Sequence, residues 1–206
     1  MLRTHAAIQL GVAFAVLLGM LSSSAFGQQD PAALARSLGN EVRSEREATS
    51  DSDIDWGNAV GVVNAPFERV SSAVRNYANY HRFLPFFTQS RIVSARGSRA
   101  LVYMEASVLH GSVTLWANMR MGTRPSRGDT QIIAGRMADG NMGDFRARWE
   151  LTPLDEGRRT LVRLKVLIDP DLPLPDSICS SENVSSARRT IIALRRFLGV
   201  SAPSGS

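Results

Sequence analysis

Residues 62–87, VVNAPFERVSSAVRNYANYHRFLPFF, join a β-rich segment to two short helical patterns. Pro66 suits the first turn of a helix, where its missing N–H needs no partner. Apolar residues then recur at helical spacing from Phe67 to Val74. A second short apolar stripe ends at Pro85, because proline cannot continue the helical hydrogen bonds. The stretch therefore predicts a strand followed by two short helices.

The rest of the chain has mainly strand-like patterns. A first strand is predicted over residues 54–63, and further strands over residues 90–95, 100–109, 112–122, 130–137, 144–152 and 160–168. Residues 176–198 predict an amphipathic helix with apolar side chains every three or four positions. We predict an α+β fold with a curved antiparallel sheet of six to seven strands. The long C-terminal helix should lie over the concave face and enclose a cavity.

Several short motifs occur in an informative order. They are APFERV at residues 65–70, YHRFLP at 80–85, WELTP at 149–153, DP and LP within 169–173, and ALR at 193–195. With these motifs the chain resembles the START-like (SRPBCC, Bet v 1-like) superfamily, whose fold is the helix grip. Within it, the chain is similar to the polyketide cyclase/dehydrase and lipid transport branch, which includes coenzyme Q-binding proteins. The resemblance covers residues 55–198 and implies a shared pocket, not a shared reaction.

The amino terminus has the pattern of a secretory signal. Arg3 precedes an apolar run over residues 10–21, and small residues follow before a cleavage site after Ala25 or Gly27. An uncleaved anchor is the alternative. We expect residues 1–27 to be a signal peptide, so that the protein is periplasmic or secreted. Residues 28–53 are predicted as a polar segment with a short helix at 31–38, residues 54–199 as the ligand-binding domain, and residues 200–206 as a disordered tail.

Composition limits the other classes of function. The single cysteine, Cys179, cannot form an internal disulfide and is interpreted as a small apolar filler. The net charge is +5, but the basic residues are scattered without a nucleic-acid motif, so nucleic-acid binding is not expected. Arginines at 188, 189, 195 and 196 could form a basic helix face that contacts an anionic membrane, although a solvated face is the alternative. No metal, phosphate or dinucleotide motif is present, and no cofactor is predicted.

Candidate ligand-binding residues are those that could line the expected cavity. Methionine adapts to irregular apolar pockets, and a lipid-like ligand needs apolar walls with few polar groups. The predicted lining residues are Tyr103, Met104, Trp116, Met119, Phe145 and Trp149 on strands, Phe83 and Phe86 after the second helix, and Ile191 and Leu194 on the final helix. Ordinary core packing is the alternative for each of them. Polar candidates for a headgroup site or acid–base pair are Tyr103, Glu105, His110, Asn118, Arg120, Arg148 and Arg163.

Three functions are compatible with these patterns. The first is an exported carrier for a hydrophobic or lipid-like small molecule, without catalysis. The second is a polyketide aromatase/cyclase or dehydratase, in which an inward acid–base pair removes water. The third is an interaction module that contacts an envelope partner through the basic final helix. The carrier is the preferred hypothesis because no catalytic constellation is evident, and no catalytic residue is assigned.

Overall fold

The computed structural model describes residues 30–200. In chain order the elements are α1 (Pro31–Leu38), β1 (Val42–Glu47), β2 (Trp56–Val63), α2 (Phe67–Arg75), a 3-10 helix (Tyr77–Arg82), β3 (Phe87–Arg96), β4 (Arg99–Val108), a short 3-10 turn (Leu109–Gly111), β5 (Val113–Arg127), β6 (Thr130–Gly140), β7 (Asp144–Leu154), β8 (Arg159–Asp169) and α3 (Asp176–Phe197). This order confirms the predicted α+β class. Within this part of the chain, no helix combines the length and apolar character that crossing a membrane requires.

The strands form one antiparallel sheet of eight strands in the order β1-β2-β8-β7-β6-β5-β4-β3. Each of the neighbours from β3 to β8 is joined by a short connection, as expected of an antiparallel meander. Register shifts interrupt the β3–β4 and β5–β6 pairings. Such bulges increase local twist and bend a strand, so they help to curve the sheet around its concave face.

The two faces of the sheet have different partners. On β2, Ala59 and Gly61 point to the concave face, where α3 packs, and Val60 and Val62 point to the convex face. Helix α1 covers that convex patch through its buried residue Leu34 and its neighbours. Helix α2 packs on the concave side, so the main core lies between the sheet, α2 and α3.

Helix α3 is held at one edge of the sheet, over β1, β2 and β8. It crosses β2 so closely that a Cβ on Gly57 would lie 2.0 Å from the Asn183 carbonyl oxygen. The Asn183 side-chain amide accepts from the Ile168 N–H at 3.1 Å and donates to the Asp55 carbonyl at 3.2 Å. Near the other end of the helix, the buried Arg195 side chain donates to backbone carbonyls of the amino-terminal half. The rest of the sheet is not covered by α3.

The strand count of six to seven was too low, because residues 42–47 form β1 at the sheet edge. Only Val42 of this strand belongs to the main core, whereas charged side chains follow it. Glu47 pairs with Lys165 across the convex face, with Nζ and Oε1 2.6 Å apart. The segment predicted as a polar linker therefore contributes a strand to the sheet. The helix predicted at 31–38 is confirmed, and Gly39 follows it with φ 52°.

The predicted signal peptide, residues 1–27, lies outside the described residues, as do residues 201–206 of the predicted tail.

Candidate functional site

A cavity of about 530 Å³ lies between the concave face and the segments that cover it. Strands β4, β5, β7 and β8 provide its walls, and α3 borders it on one side. Much of the rest of the cavity is closed by three segments, which are the 3-10 helix, the connection from it to β3, and the connection between β8 and α3. Its volume is in the range typical of sites for small-molecule ligands.

The cavity follows from the placement of α3 together with small side chains on the central strands. Ala117 and Ala147 point inward and line the wall. Gly135 pairs with Ala147 on the neighbouring strand, and a Cβ there would lie 2.3 Å from the Met121 sulfur. Because Ala117 and Ala147 carry so little side chain, the wall recedes where the helix does not reach, whereas the space beside Gly135 is taken by Met121.

The mouth of the cavity is apolar and accessible to solvent. Four of its lining side chains are large and exposed, namely Phe86 at 54%, Leu109 at 52%, Ile178 at 48% and Leu174 at 37%. Phe86 has φ 69° and Leu109 has φ 50°, a left-handed conformation that is uncommon for such residues. The Phe86 carbonyl accepts a hydrogen bond from the Ser107 N–H at 3.0 Å, which ties this segment to β4.

Polar groups in the lining are few, and several already have partners. The Tyr80 hydroxyl donates to the Val74 carbonyl at 2.6 Å, and complete burial raises the pKa of Tyr80 well above its usual value. The Cys179 pKa is also raised, first by burial and then by the nearby carboxylates Asp169 and Asp176. Both groups therefore stay protonated near neutral pH. The Asn183 amide is used in fixing α3.

Five of the ten predicted cavity residues line the cavity. Met104, Met119, Phe145 and Trp149 form part of its wall, and Phe86 lies at its mouth. Phe145 and Trp149 are four positions apart on β7 and therefore point to the same face of the sheet. Contact of these side chains with a ligand stays a prediction.

The prediction for Tyr103 and Trp116 was wrong, because both lie on the convex face. Adjacent strand residues point to opposite faces, so Tyr103 cannot accompany Met104 into the cavity. Trp116 is adjacent to the inward residue Ala117 and therefore points outward for the same reason. The two rings stack with centroids 6.1 Å apart, and the Arg91 guanidinium lies 4.7 Å from the Tyr103 ring centroid. These aromatic side chains cover the outer surface of the sheet.

Phe83, Ile191 and Leu194 are buried, but they do not line the cavity either. Phe83 stacks on Phe197 with ring centroids 4.9 Å apart, so it packs the 3-10 helix against the end of α3. Ile191 and Leu194 belong to the stripe that holds α3 on the sheet, and Ile191 approaches Gly61. Their apolar character reflects core packing, the alternative reading for each of them.

None of the polar candidates whose side chains the structure describes lines the cavity. The Tyr103 hydroxyl donates to Glu105 at 2.9 Å on the convex face, and this hydrogen bond is the main cause of a raised Tyr103 pKa. Arg148 pairs there with Glu150 at 2.7 Å. The side chain of His110 lies outside the described part of the structure. Among residues 30–200, no group of three or more His, Cys, Asp or Glu side chains could hold a metal ion.

The predicted residues left out much of the lining, and two kinds of omission are informative. The first are the small residues Ala117 and Ala147, which an alternating strand pattern could have indicated as a gap in the inward face. The second are residues on the polar-looking side of α3, among them Cys179, Ser186 and Thr190. Hydrophobic periodicity assigns that side to solvent, so only the position of the helix identifies it as a wall.

Comparisons with known proteins agree with this architecture. The family model described as polyketide cyclase/dehydrase and lipid transport matches residues 63–180, more than half of the chain. The protein therefore belongs to this family, within the START-like superfamily. No curated protein matches the sequence.

Solved structures with the same fold come from distant organisms. A STAR-related lipid transfer protein from Xanthomonas axonopodis has 16% identity and a TM-score of 0.65, with 77% of this chain and 93% of that chain covered. Human StAR-related lipid transfer protein 5 has 13% identity and a TM-score of 0.66, with coverage of 77% and 82%. A START superfamily protein from Mycobacterium smegmatis has 15% identity and a TM-score of 0.58, with coverage of 70% and 97%. At these identities the likeness establishes the fold alone.

Proposed function

We propose that the protein is an exported binding protein that carries a hydrophobic or lipid-like small molecule in its cavity. The observation that carries the proposal is a cavity of about 530 Å³ with a mainly apolar lining that includes Met104, Phe145 and Trp149. Removing apolar surface from water provides the affinity for such a ligand. The exposed side chains at the mouth, such as Phe86 and Leu109, give an apolar route between cavity and surface.

The position of the polar side chains favours a carrier over an aromatase/cyclase or dehydratase. An enzyme of that kind needs an acid and a base within reach of the bound substrate. Tyr103 and Glu105, the expected partners, bond to each other on the convex face. Family membership is compatible with both functions, since the family description includes polyketide cyclases and lipid transport. The solved relatives named as lipid transfer proteins add support for the carrier.

Export is a proposal that rests on the sequence alone. Its support is the charged start, the apolar run over residues 10–21 and the small residues that follow. The expected ligand is a hydrophobic molecule such as an isoprenoid, a quinone, a fatty acid or a phospholipid. An interaction through the basic final helix is weakened by Arg195, which is buried against the carbonyls of Val62 and Asn40. Peripheral contact with an anionic membrane stays a prediction.

The proposal is tested by asking what the purified protein carries. Native mass spectrometry of the protein from its producing cells, followed by organic extraction, should find a noncovalent apolar ligand. The Ala147→Phe variant places a ring in the cavity wall and should lose this ligand. Ala134→Phe is the matched control, because Ala134 pairs with Arg148 and lies on the convex side. A wild-type protein that neither carries nor takes up apolar compounds would contradict the proposal.

A further inference from the structure

The charges around the cavity are unevenly distributed. The chain contains 24 lysines and arginines, yet none of those whose side chains the structure describes lines the cavity. On β7, Arg148 points to the convex face and pairs there with Glu150. Among the described lining residues, Glu182 is the one that carries a carboxylate, and it lies on an exposed turn of α3 at the mouth.

This distribution disfavours an anionic ligand. A carboxylate or phosphate that enters the cavity loses its hydration and finds no cation among the described lining residues, which makes burial of the charge unfavourable. An anionic head that stays at the mouth lies near Glu182 instead, where two like charges repel. In either position, an anionic head would bind less favourably than an uncharged head.

The Arg189 guanidinium lies close to the mouth and is paired with Glu182. Arg189 Nη2 donates to Glu182 Oε2 at 2.9 Å, and the Arg189 guanidinium carbon lies 5.0 Å from the Phe86 ring centroid. Arg189 itself is not among the lining residues. An anionic head that approached Arg189 would therefore lie beside the carboxylate of Glu182, which offsets part of the guanidinium charge.

Uncharged polar groups of a ligand would find hydrogen-bond partners in the lining. Ser107, Ser186 and Thr190 line the cavity, and a hydroxyl can both donate and accept a hydrogen bond. Ser186 and Thr190 lie four positions apart on α3, so they occupy the same side of the helix. An alcohol or carbonyl group of a ligand could bond to them without a counter-ion.

We propose that the cavity selects uncharged hydrophobic molecules that carry a hydroxyl or carbonyl group, and discriminates against anionic lipids such as ionised fatty acids. This inference rests on the proposed carrier function and specifies its ligand class. The carboxylate of Glu182 contributes to the discrimination by repelling an acidic head at the mouth.

The test uses two ligands with equal chain length and a neutral fluorescent probe. The purified protein is loaded with N-phenyl-1-naphthylamine, which is then displaced by 1-dodecanol or by dodecanoate at pH 8, below the micelle concentration. We expect dodecanol to displace the probe at a concentration at least about tenfold lower, equivalent to about 1.4 kcal/mol. If dodecanoate displaces the probe at an equal or lower concentration than dodecanol, the inference is overturned while the carrier function stands. If the probe and both ligands fail to bind, the carrier function fails, and the inference with it.

A substitution at the mouth separates this mechanism from simple differences in hydrophobicity. Glu182→Gln removes the anion and frees Arg189, so dodecanoate affinity should rise by about fivefold while dodecanol affinity stays the same. Glu68→Gln makes the same change at an exposed position of α2 that does not line the cavity, and should alter neither affinity. An unchanged dodecanoate affinity in Glu182→Gln would refute the role of this carboxylate.

Discussion

The Ala147→Phe substitution tests whether the space beside Ala147 is an open cavity or a packed core. Ala147 lies on the inward face of β7, between Gly135 on one neighbouring strand and Val166 on the other. It is only partly buried although it lies on the concave face, because it faces the cavity. A phenyl ring at this position would extend into a cavity of about 530 Å³.

The sign of the stability change follows from the space available. Complete burial of a phenylalanine side chain contributes about 1.5–3 kcal/mol relative to exposure. We therefore expect the free energy of unfolding to rise by about 2 kcal/mol, which raises Tm by about 4–8 °C in a domain with this length. In a filled core the same ring would force neighbours apart and cost about 1–3 kcal/mol. An open cavity and a filled core therefore predict opposite signs for the change in unfolding free energy.

The assay is urea unfolding, followed by circular dichroism, of protein from which ligand has been stripped by unfolding and refolding. Stripping is necessary because a ligand that binds only the folded wild type would raise its apparent stability. The convex-face control Ala134→Phe should change the unfolding free energy by less than about 0.5 kcal/mol. A loss of more than 1 kcal/mol in Ala147→Phe, with an unchanged control, would refute the cavity and the carrier proposal that depends on it.

Three further predictions concern the helix and the cavity wall. Gly57→Ala should lower the unfolding free energy by about 3 kcal/mol in urea unfolding, because its Cβ would lie 2.0 Å from the Asn183 carbonyl oxygen. Arg195→Met should lower it by about 1–3 kcal/mol, since the side chain donates to the Val62 and Asn40 carbonyls at 2.9 and 2.7 Å. Cys179 should react slowly with 5,5′-dithiobis(2-nitrobenzoate), faster as pH rises, and more slowly when dodecanol fills the cavity it lines.

Each of these predictions has an internal control. Gly122→Ala should be nearly neutral, because the nearest atom to its Cβ would be 3.6 Å away. Arg196→Met, at the exposed neighbouring position, should also have little effect. The raised Cys179 pKa means that the folded protein should react more slowly than the unfolded chain at the same pH. The predicted role of Gly57 is contradicted if Gly57→Ala and Gly122→Ala change the unfolding free energy equally. The role of Arg195 is contradicted if Arg195→Met costs no more unfolding free energy than Arg196→Met. The position of Cys179 in the cavity wall is contradicted if saturating dodecanol leaves its reaction rate unchanged.

The sequence was sufficient for the fold because each element has its own local pattern. Strand alternation in β7 and β8 and the stripe on α3 identified one layer of sheet and one long helix. Strand β1 was missed because only Val42 carries apolar character while its charged residues pair across an exposed face. A polar edge strand is recognised through its neighbours rather than through its own composition.

The cavity residues were harder to predict because β4 and β5 carry large apolar or aromatic side chains on both faces. Tyr103 and Met104 are adjacent, so alternation shows that one must point outward but does not say which one. The aromatic residue is the outer one here, stacked on Trp116 and beneath Arg91. Which part of the inward face stays uncovered depends on the position of α3, and no local pattern contains that information.

The position of α3 explains why the cavity is a property of the fold rather than of loose packing. Asn183 bonds to backbone groups of Ile168 and Asp55, and its own backbone lies directly over Gly57. Arg195 fixes the other end of the helix to the amino-terminal half through the Val62 and Asn40 carbonyls. A helix held at both ends cannot slide across the sheet to cover Ala147 without breaking these hydrogen bonds, so the hydrophobic gain from closing the cavity is opposed by the loss of the anchors. The residues that stabilise the helix thereby also preserve the space beside it.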